Sequence, residues 1–218
     1  MERFDVLVIG SGSGMLIVPA AVDSGLKTAL VENGPMGGTC LNRGCVPSKM
    51  LIYPADIVAI IKEAQRLGVN TTINSIDFQN IMSRMRNLVN GDSSAQASAV
   101  QATPELTWFK ETGKFISDYT MQVGEHTITA ERIFIVSGAR PGIPSIKGIE
   151  NVDYLTSDTV LKLEAPPESI LIIGGGYIGV EYGHFFSGIG IKTTILQRPF
   201  RLLPEEEPEI SDLLKQEL

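Results

Sequence analysis

The sequence predicts an α/β fold in which a strand–turn–helix–strand unit with parallel strands is built twice. Three observations predict it. Residues 6–32, "VLVIGSGSGMLIVPAAVDSGLKTALVE", match residues 170–197, "ILIIGGGYIGVEYGHFFSGIGIKTTILQ", when set in register. Each copy opens on an unbroken apolar run, which suits a parallel strand buried on both faces. Each run ends in a glycine cluster, the mark of a turn whose backbone must approach a neighbour or ligand closely.

In the first copy, residues 4–9 are the strand, and Gly10, Gly12 and Gly14 form the turn. Met15 stands where the second copy has its third glycine. Pro19 falls where the helix should be running, so that helix is expected to kink or start late. Residues 46–67 have helical length and pattern, with Pro54 inside and Gly68 as the stop; 78–101 form a second long helix. Short strand signals follow at 107–109, 114–116, 120–123, 126–129 and 133–136. Pro141, Pro144, Pro166 and Pro167 punctuate a linker before the second copy. The expected division is a first domain over 1–146 and the start of a second over 147–218.

Composition bounds the function. With 218 residues and 43% hydrophobic content, the chain can bury two modest cores. A net charge of -7 argues against nucleic-acid binding, which draws on clustered Lys and Arg. No targeting leader is expected, since a buried strand over residues 4–9 begins almost at Met1 without a basic n-region and long apolar h-region. No apolar run reaches the roughly eighteen residues of a membrane helix. The expectation is a soluble, cytoplasmic protein. In that compartment a lone close cysteine pair is more often catalytic than a structural disulfide.

The glycine turns point to dinucleotides. Gly174, Gly176 and Gly179 give the full G-x-G-x-x-G pattern between strand and helix, where free N–H groups and the helix dipole favour a pyrophosphate. Glu32, at the end of the second strand, is placed to accept hydrogen bonds from a ribose diol. Gln197 occupies the matching place in the second copy, followed by Arg198 and Arg201. A neutral residue beside guanidinium groups tolerates a 2'-phosphate, so the second site suits an NADP-type nucleotide. Ordinary surface arginines are the alternative reading.

Both cysteines lie in "GGTCLNRGCVPSK", residues 37–49. Pro47 is preorganised for a first helical turn, which puts Cys45 at the helix N-terminus, where a thiolate is favoured. Lys49 is one turn further on and faces the same side. Glycines 37, 38 and 44 leave room for a ligand, and Cys40 reaches Cys45 across a short flexible loop. The natural partner is a flavin. A structural zinc needs about four ligands, and His126 and His184, the only histidines, are remote and unpaired by motif. No metal is expected.

These motifs resemble the FAD-dependent pyridine nucleotide-disulfide oxidoreductases over essentially the whole chain, and most specifically at "GGTCLNRGCVPSK". The resemblance implies a Rossmann-like, three-layer ββα fold of the glutathione reductase kind, binding FAD and NAD or NADP. By this likeness Cys45 lies beside the flavin, Cys40 exchanges with substrate, and Lys49 sits by the flavin and pairs with Glu181. Tyr177, followed by Ile178, gates the nicotinamide pocket. Gly38 and Thr39 join the FAD site, as do Ser137 and Gly138 of "SGARP", and Gly113 is similar to a glycine whose backbone lies near the adenine. "PSK" at Ser48 is similar to the dihydrolipoamide dehydrogenases and mercuric reductases, which favours dihydrolipoamide. Gln197 departs from the acidic residue of the lipoamide enzymes, and "SGSGM" and residues 198–203 resemble mycothione reductase. Mercuric, mycothione and glutathione-type reduction therefore stay open.

Members of the family are homodimers whose chains continue well beyond this pattern and supply a His–Glu acid–base pair from the partner subunit. Neither His126 nor His184 lies in a matching motif. The second unit is incomplete by this likeness, so the 218 residues alone are expected to be inactive. A nucleotide-binding fragment or scaffold subunit without turnover is the reading from another class.

Overall fold

A computed structural model describes all 218 residues. The order is β1 (Glu2–Ile9), α1 (Val18–Asp23), β2 (Thr28–Val31), α2 (Gly38–Arg43), α3 (Cys45–Ala64), α4 (Phe78–Gln101), β3 (Leu106–Phe109), β4 (Gly113–Ser117), β5 (Thr120–Val123) and β6 (His126–Ile135). It continues with β7 (Ser169–Ile173), α5 (Tyr177–Gly188), β8 (Lys192–Leu196) and α6 (Pro208–Glu217). The chain divides into two compact units, Met1–Val46 with Asn87–Tyr154, and Pro47–Arg86 with Leu155–Leu218.

The first unit is built on a six-stranded sheet in the order β3-β2-β1-β6-β5-β4. β3, β2, β1 and β6 are parallel neighbours, and β5 and β4 extend the sheet antiparallel from the start of β6. Side-chain alternation on β1 and β2 sorts two cores. Val6, Val8 and Leu30 face α1 and the end of α4, packing with Val18, Ala21 and Val100. Leu7, Ala29 and Val31 face the other way and pack with Met121, Val123 and Ile128 of the antiparallel strands. The parallel strands thus lie between a helical layer and a second β layer.

Strand β6 corrects the expectation of two separate strands, 126–129 and 133–136. It is one ten-residue strand. Its first half pairs antiparallel with β5, and it also runs parallel to β1 along most of its length. Glu131 and Arg132 interrupt the apolar run without interrupting the ladder, because both point to solvent.

Pro19 acts as expected. A 3-10 turn, Ser13–Leu16, follows the glycines, and α1 starts only at Val18, with the proline in its first turn where no intrahelical N–H is needed. Pro54 remains inside α3, where it cannot donate to the carbonyl of Met50. Arg84 Nη2 donates to that carbonyl instead, at 3.1 Å. The acceptor orphaned by proline is therefore satisfied from a second helix.

The stretch Gly38–Leu67 is long and apolar enough to cross a membrane, with a mean hydropathy of 1.4 in its most apolar window, which corrects the expectation that no segment reaches that length. It is interrupted at Gly44, and Leu51, Ala55 and Val58 are buried within the second unit. One face of α3 is thus packed within the second unit, and 28% of that apolar window is buried in all.

In the second unit β7 and β8 form a parallel pair. Helix α5 covers one face, with Gly183 close against Ile195 and Ile172. Leu171, Ile173 and Leu196, on the opposite face, are exposed. Phe185, Phe186 and Phe78 form the buried aromatic centre of this unit. Helices α3 and α5 touch closely at Gly188, where an added Cβ would lie 2.6 Å from that of Ala55.

Candidate functional site

The two glycine turns share one hydrogen-bond plan. Gly10 N–H donates to the carbonyl of Val31, the last residue of β2, and Gly174 N–H donates to that of Leu196, the last residue of β8, each at 2.9 Å. Both glycines adopt positive φ, 107° and 112°, a conformation open to glycine but strained for other residues. The next N–H in each turn reaches the strand-end side chain: Ser11 to Glu32 Oε2 at 2.9 Å, and Gly175 to Gln197 Oε1 at 2.7 Å. Glu32 and Gln197 therefore occupy one structural position, as their sequence register predicts.

The third glycine differs between the turns. At Gly179 a Cβ would meet the Gly174 carbonyl oxygen at 2.0 Å, so this position holds helix against turn. In the first copy Gly14, one position earlier and within the 3-10 turn, makes a close approach of another kind: its absent Cβ leaves space for the side chains of Val8 and Val136.

The first turn also meets the cysteine segment. A Cβ on Gly38 would lie 2.4 Å from Gly12 Cα, so the two backbones lie against each other with no side chain between. Glu32 accepts further hydrogen bonds from Ser11 Oγ at 2.9 Å and Gly34 N–H at 2.7 Å, while Trp108 Nε1 donates to its carbonyl at 3.1 Å. A carboxylate so held, beside a bare glycine backbone, fits the ribose and pyrophosphate of a dinucleotide such as FAD. Ser137 packs its Cα near Gly10, and Gly138 follows with φ 68°. Gly113 begins β4 and is packed against Met121, which accounts for its lack of a side chain.

Cys40 and Cys45 are brought together, by a different device from the expected flexible loop. The residues between them form α2, and Gly44 alone separates α2 from α3. A Cβ on Gly44 would stand 2.9 Å from the carbonyl oxygen of Thr39 and 3.3 Å from Cys40 Cα, so only glycine lets the helices fold this tightly. Cys45 is the first residue of α3 and Pro47 the third, as predicted. Thr39 and both cysteines are exposed, and no disulfide joins the pair. A hydrogen bond with Cys45 stabilises the protonated Cys40 thiol and, with a smaller contribution from desolvation, raises its pKa above the ordinary thiol range.

In the second unit Lys49 Nζ and the Glu181 carboxylate form an ion pair across α3 and α5. His184 Nε2 and Asp56 Oδ1 lie 2.7 Å apart on the same two helices. His126 contacts Glu2 at 2.8 Å. No group of three or more acidic, histidine or cysteine side chains could hold a metal ion.

At the second turn, Tyr177 and Ile178 open α5 and are exposed. The residues after β8 fold back over the turn. Leu203 N–H donates to the Gly175 carbonyl at 2.8 Å, and Gln197 Nε2 to that of Arg201 at 3.3 Å. The Tyr177 hydroxyl donates to Glu206, which raises its pKa; desolvation and the nearby charges of Glu206 and Glu205 add to the shift. Burial pushes the Tyr182 hydroxyl up as well, with Glu181 and Asp158 adding to the effect. A cavity of about 490 Å³ borders the strand end and is lined in part by Gln197, Arg201, Thr193 and Lys215. Arg198 and Arg201 are both exposed, and of the two Arg201 borders this cavity. Sequence reasoning missed Ser11, Gly44's exact task and Glu206, because none carries a motif signal of its own.

Residues 4–218 match the family model for pyridine nucleotide-disulphide oxidoreductases. The chain belongs to this family. Its relatives include a mercuric reductase of Lysinibacillus sphaericus, 35% identical over 218 residues, covering all of this chain and 40% of the relative. A mycothione reductase of Mycobacterium tuberculosis is 34% identical over 210 residues, covering 93% of this chain and 45% of the relative. A dihydrolipoyl dehydrogenase of Bacillus subtilis is 32% identical over 223 residues, covering 96% and 47%. Among solved structures, the HOCl-induced flavoprotein disulfide reductase RclA from Escherichia coli superposes with a TM-score of 0.84 at 29% identity, covering 97% of this chain and 46% of that one. The chain therefore spans less than half the length of these relatives. The fold is the FAD/NAD(P)-binding Rossmann-like fold of the flavoprotein disulfide reductases, and the family's cofactors are FAD and NAD(P)H.

Proposed function

We propose that the chain is the dinucleotide-binding and redox portion of a flavin-dependent dithiol–disulfide oxidoreductase. The observation that carries this reading is a hydrogen-bonded cysteine pair at a helix start whose preceding glycine, Gly38, packs against the first glycine turn. FAD is assigned to the first turn, with Gly10, Gly12, Gly14, Glu32, Gly38, Thr39, Gly113, Ser137 and Gly138. NAD or NADP is assigned to the second, with Gly174, Gly176, Tyr177, Ile178, Gly179, Gln197, Arg198 and Arg201. The domain boundary in sequence is proposed between 146 and 147, whereas the compact units divide differently, Pro47–Arg86 grouping with Leu155–Leu218.

FAD, when bound, supplies a two-electron carrier between thiols and nicotinamide. The chain's own chemistry is thiol exchange. A substrate thiolate attacks the Cys40 sulfur of the oxidised pair, and the Cys40–Cys45 bond breaks with the electron pair on Cys45. The second substrate thiolate attacks the substrate sulfur of this mixed disulfide; substrate leaves as a cyclic disulfide and Cys40 takes up a proton. The raised Cys40 pKa supports this division, since Cys40 is the sulfur that ends protonated. Lys49, held by Glu181, presents a fixed cation one turn along α3.

Dihydrolipoamide is the proposed substrate, on the "PSK" likeness at Ser48. Mercuric ion and mycothiol disulfide are the competitors, supported by relatives of similar identity. The whole enzyme is proposed to be a cytoplasmic homodimer without nucleic-acid or membrane partners. The second reading, a nucleotide-binding chain without turnover of its own, is supported by the span of under half the relatives' length.

The test is reconstitution with FAD followed by assay with dihydrolipoamide, mercuric ion or mycothiol disulfide and the matching nicotinamide nucleotide. Flavin binding with turnover of dihydrolipoamide supports the first reading, and Cys40→Ser should then keep flavin and lose turnover. Flavin binding without turnover of any client supports the second. Failure to bind flavin refutes both.

A further inference from the structure

We infer that Ser11 is a positioning residue that couples occupancy of the first glycine turn to the reactivity of the cysteine pair. The inference rests on assignment of a dinucleotide to that turn. Ser11 is fully buried. Its hydroxyl donates to Glu32 Oε2 at 2.9 Å and accepts from Gly37 N–H at 3.2 Å, while its own N–H donates to the same carboxylate oxygen. One hydroxyl thus bridges the carboxylate that meets the ribose and the glycine that caps α2, the helix bearing Cys40.

The second turn is an internal control. Gly175 stands where Ser11 stands, and Gln197 where Glu32 stands; the backbone N–H to strand-end bond is kept, and there is no hydroxyl. No cysteine follows that turn. The hydroxyl is therefore unnecessary for making a glycine turn and is found where the turn abuts the redox segment. Gly37 and Gly38, at φ 103° and 59°, have no side chains of their own to fix the start of α2. The Ser11 bridge fixes the Gly37 N–H, beside the contact of Gly12 on Gly38 and Asn42 Nδ2, which donates to the carbonyls of Met36 and Gly38 at 2.9 and 3.0 Å; of these only the Ser11 bridge leads to Glu32. A ligand that draws on the Glu32 carboxylate competes for Oε2, weakens or reorients the Ser11 hydroxyl, and so changes the set of Gly37 and the approach of Cys40 to Cys45.

The probe is ADP, which fills the adenosine end alone and brings no flavin ring near the thiols. The 218-residue chain is titrated with ADP by calorimetry, and the alkylation rates of Cys40 and Cys45 by iodoacetamide are followed by peptide mass spectrometry with and without saturating ADP. The expected result is a change of about fivefold or more in the unaltered chain, the lower range of ordinary site–site coupling. Ser11→Ala and Ser11→Gly, the second being the residue the other turn tolerates, should still bind ADP and bring that ratio to about one. ADP binding that Glu32→Gln weakens, and that therefore lies at the first turn, with no change in alkylation of the unaltered chain overturns the coupling without use of any serine variant. Retention of the wild-type ratio in either serine variant overturns the assignment to Ser11. Absence of ADP binding to the unaltered chain refutes the dinucleotide reading of the turn, and the coupling falls with it.

Discussion

Gly44→Ala should make the cysteine pair harder to oxidise. The added methyl would stand 2.9 Å from the Thr39 carbonyl oxygen and 3.3 Å from Cys40 Cα, both backbone atoms of α2 that have no rotamer to yield. Closing a disulfide requires α2 and α3 to hold this approach, whereas the dithiol form can relax by opening at residue 44. The strain therefore falls mainly on the oxidised state. Overpacking by one methyl costs about 1–3 kcal/mol. For a two-electron couple this corresponds to a midpoint shift of about 20–65 mV toward less negative values. The assay is equilibration of the chain in a series of glutathione redox buffers, with free thiols counted by a mass-shifting alkylating agent and folding checked by circular dichroism. A midpoint unchanged within a few millivolts (~5 mV, well below the shift converted above), or one that moves negative, would refute the idea that Gly44 sets the spacing of the sulfurs.

Arg84→Ala should lower stability by about 0.5–1.5 kcal/mol, the net worth of a typical hydrogen bond, because the Met50 carbonyl freed by Pro54 loses its donor. In a Pro54→Ala background residue 54 regains its N–H, so a double-mutant cycle in urea should show most of the Arg84 effect disappear; additivity of the two changes would count against this compensation. The Cys40 thiol, raised above the ordinary thiol range chiefly by Cys45, should be alkylated more slowly near neutral pH than an unperturbed thiol, with its rate climbing only at higher pH. Cys45→Ser should move that rate–pH curve of Cys40; a superimposable curve would remove Cys45 as the cause.

Much of this architecture can be read from residue pattern because its signals are local. The helix 78–101 begins and ends as its pattern predicts, and Pro19 announces the late start of α1. The misreadings also have local causes. Glu131 and Arg132 split an apolar run that hydrogen bonding keeps whole, since a charged pair on a solvent-facing stretch costs a strand little. Helix α2 is too short to display a period, and its flanking glycines imitate a loop. The partnership of Lys49 with Glu181 spans 132 positions and came from family likeness; spacing carries no trace of it. Ser11 is silent for a related reason, because a small polar residue within a glycine turn has no preference that marks its hydroxyl as a bridge.

The common hydrogen-bond plan of the two turns has an evolutionary corollary. Glu32 and Gln197 take the same backbone N–H in the same socket and differ by one terminal atom, an anionic oxygen against an amide nitrogen. Their codons differ by a single base. If the second turn holds NAD or NADP as proposed, choice between the two can drift there by one point mutation at residue 197, with the main chain around it left undisturbed.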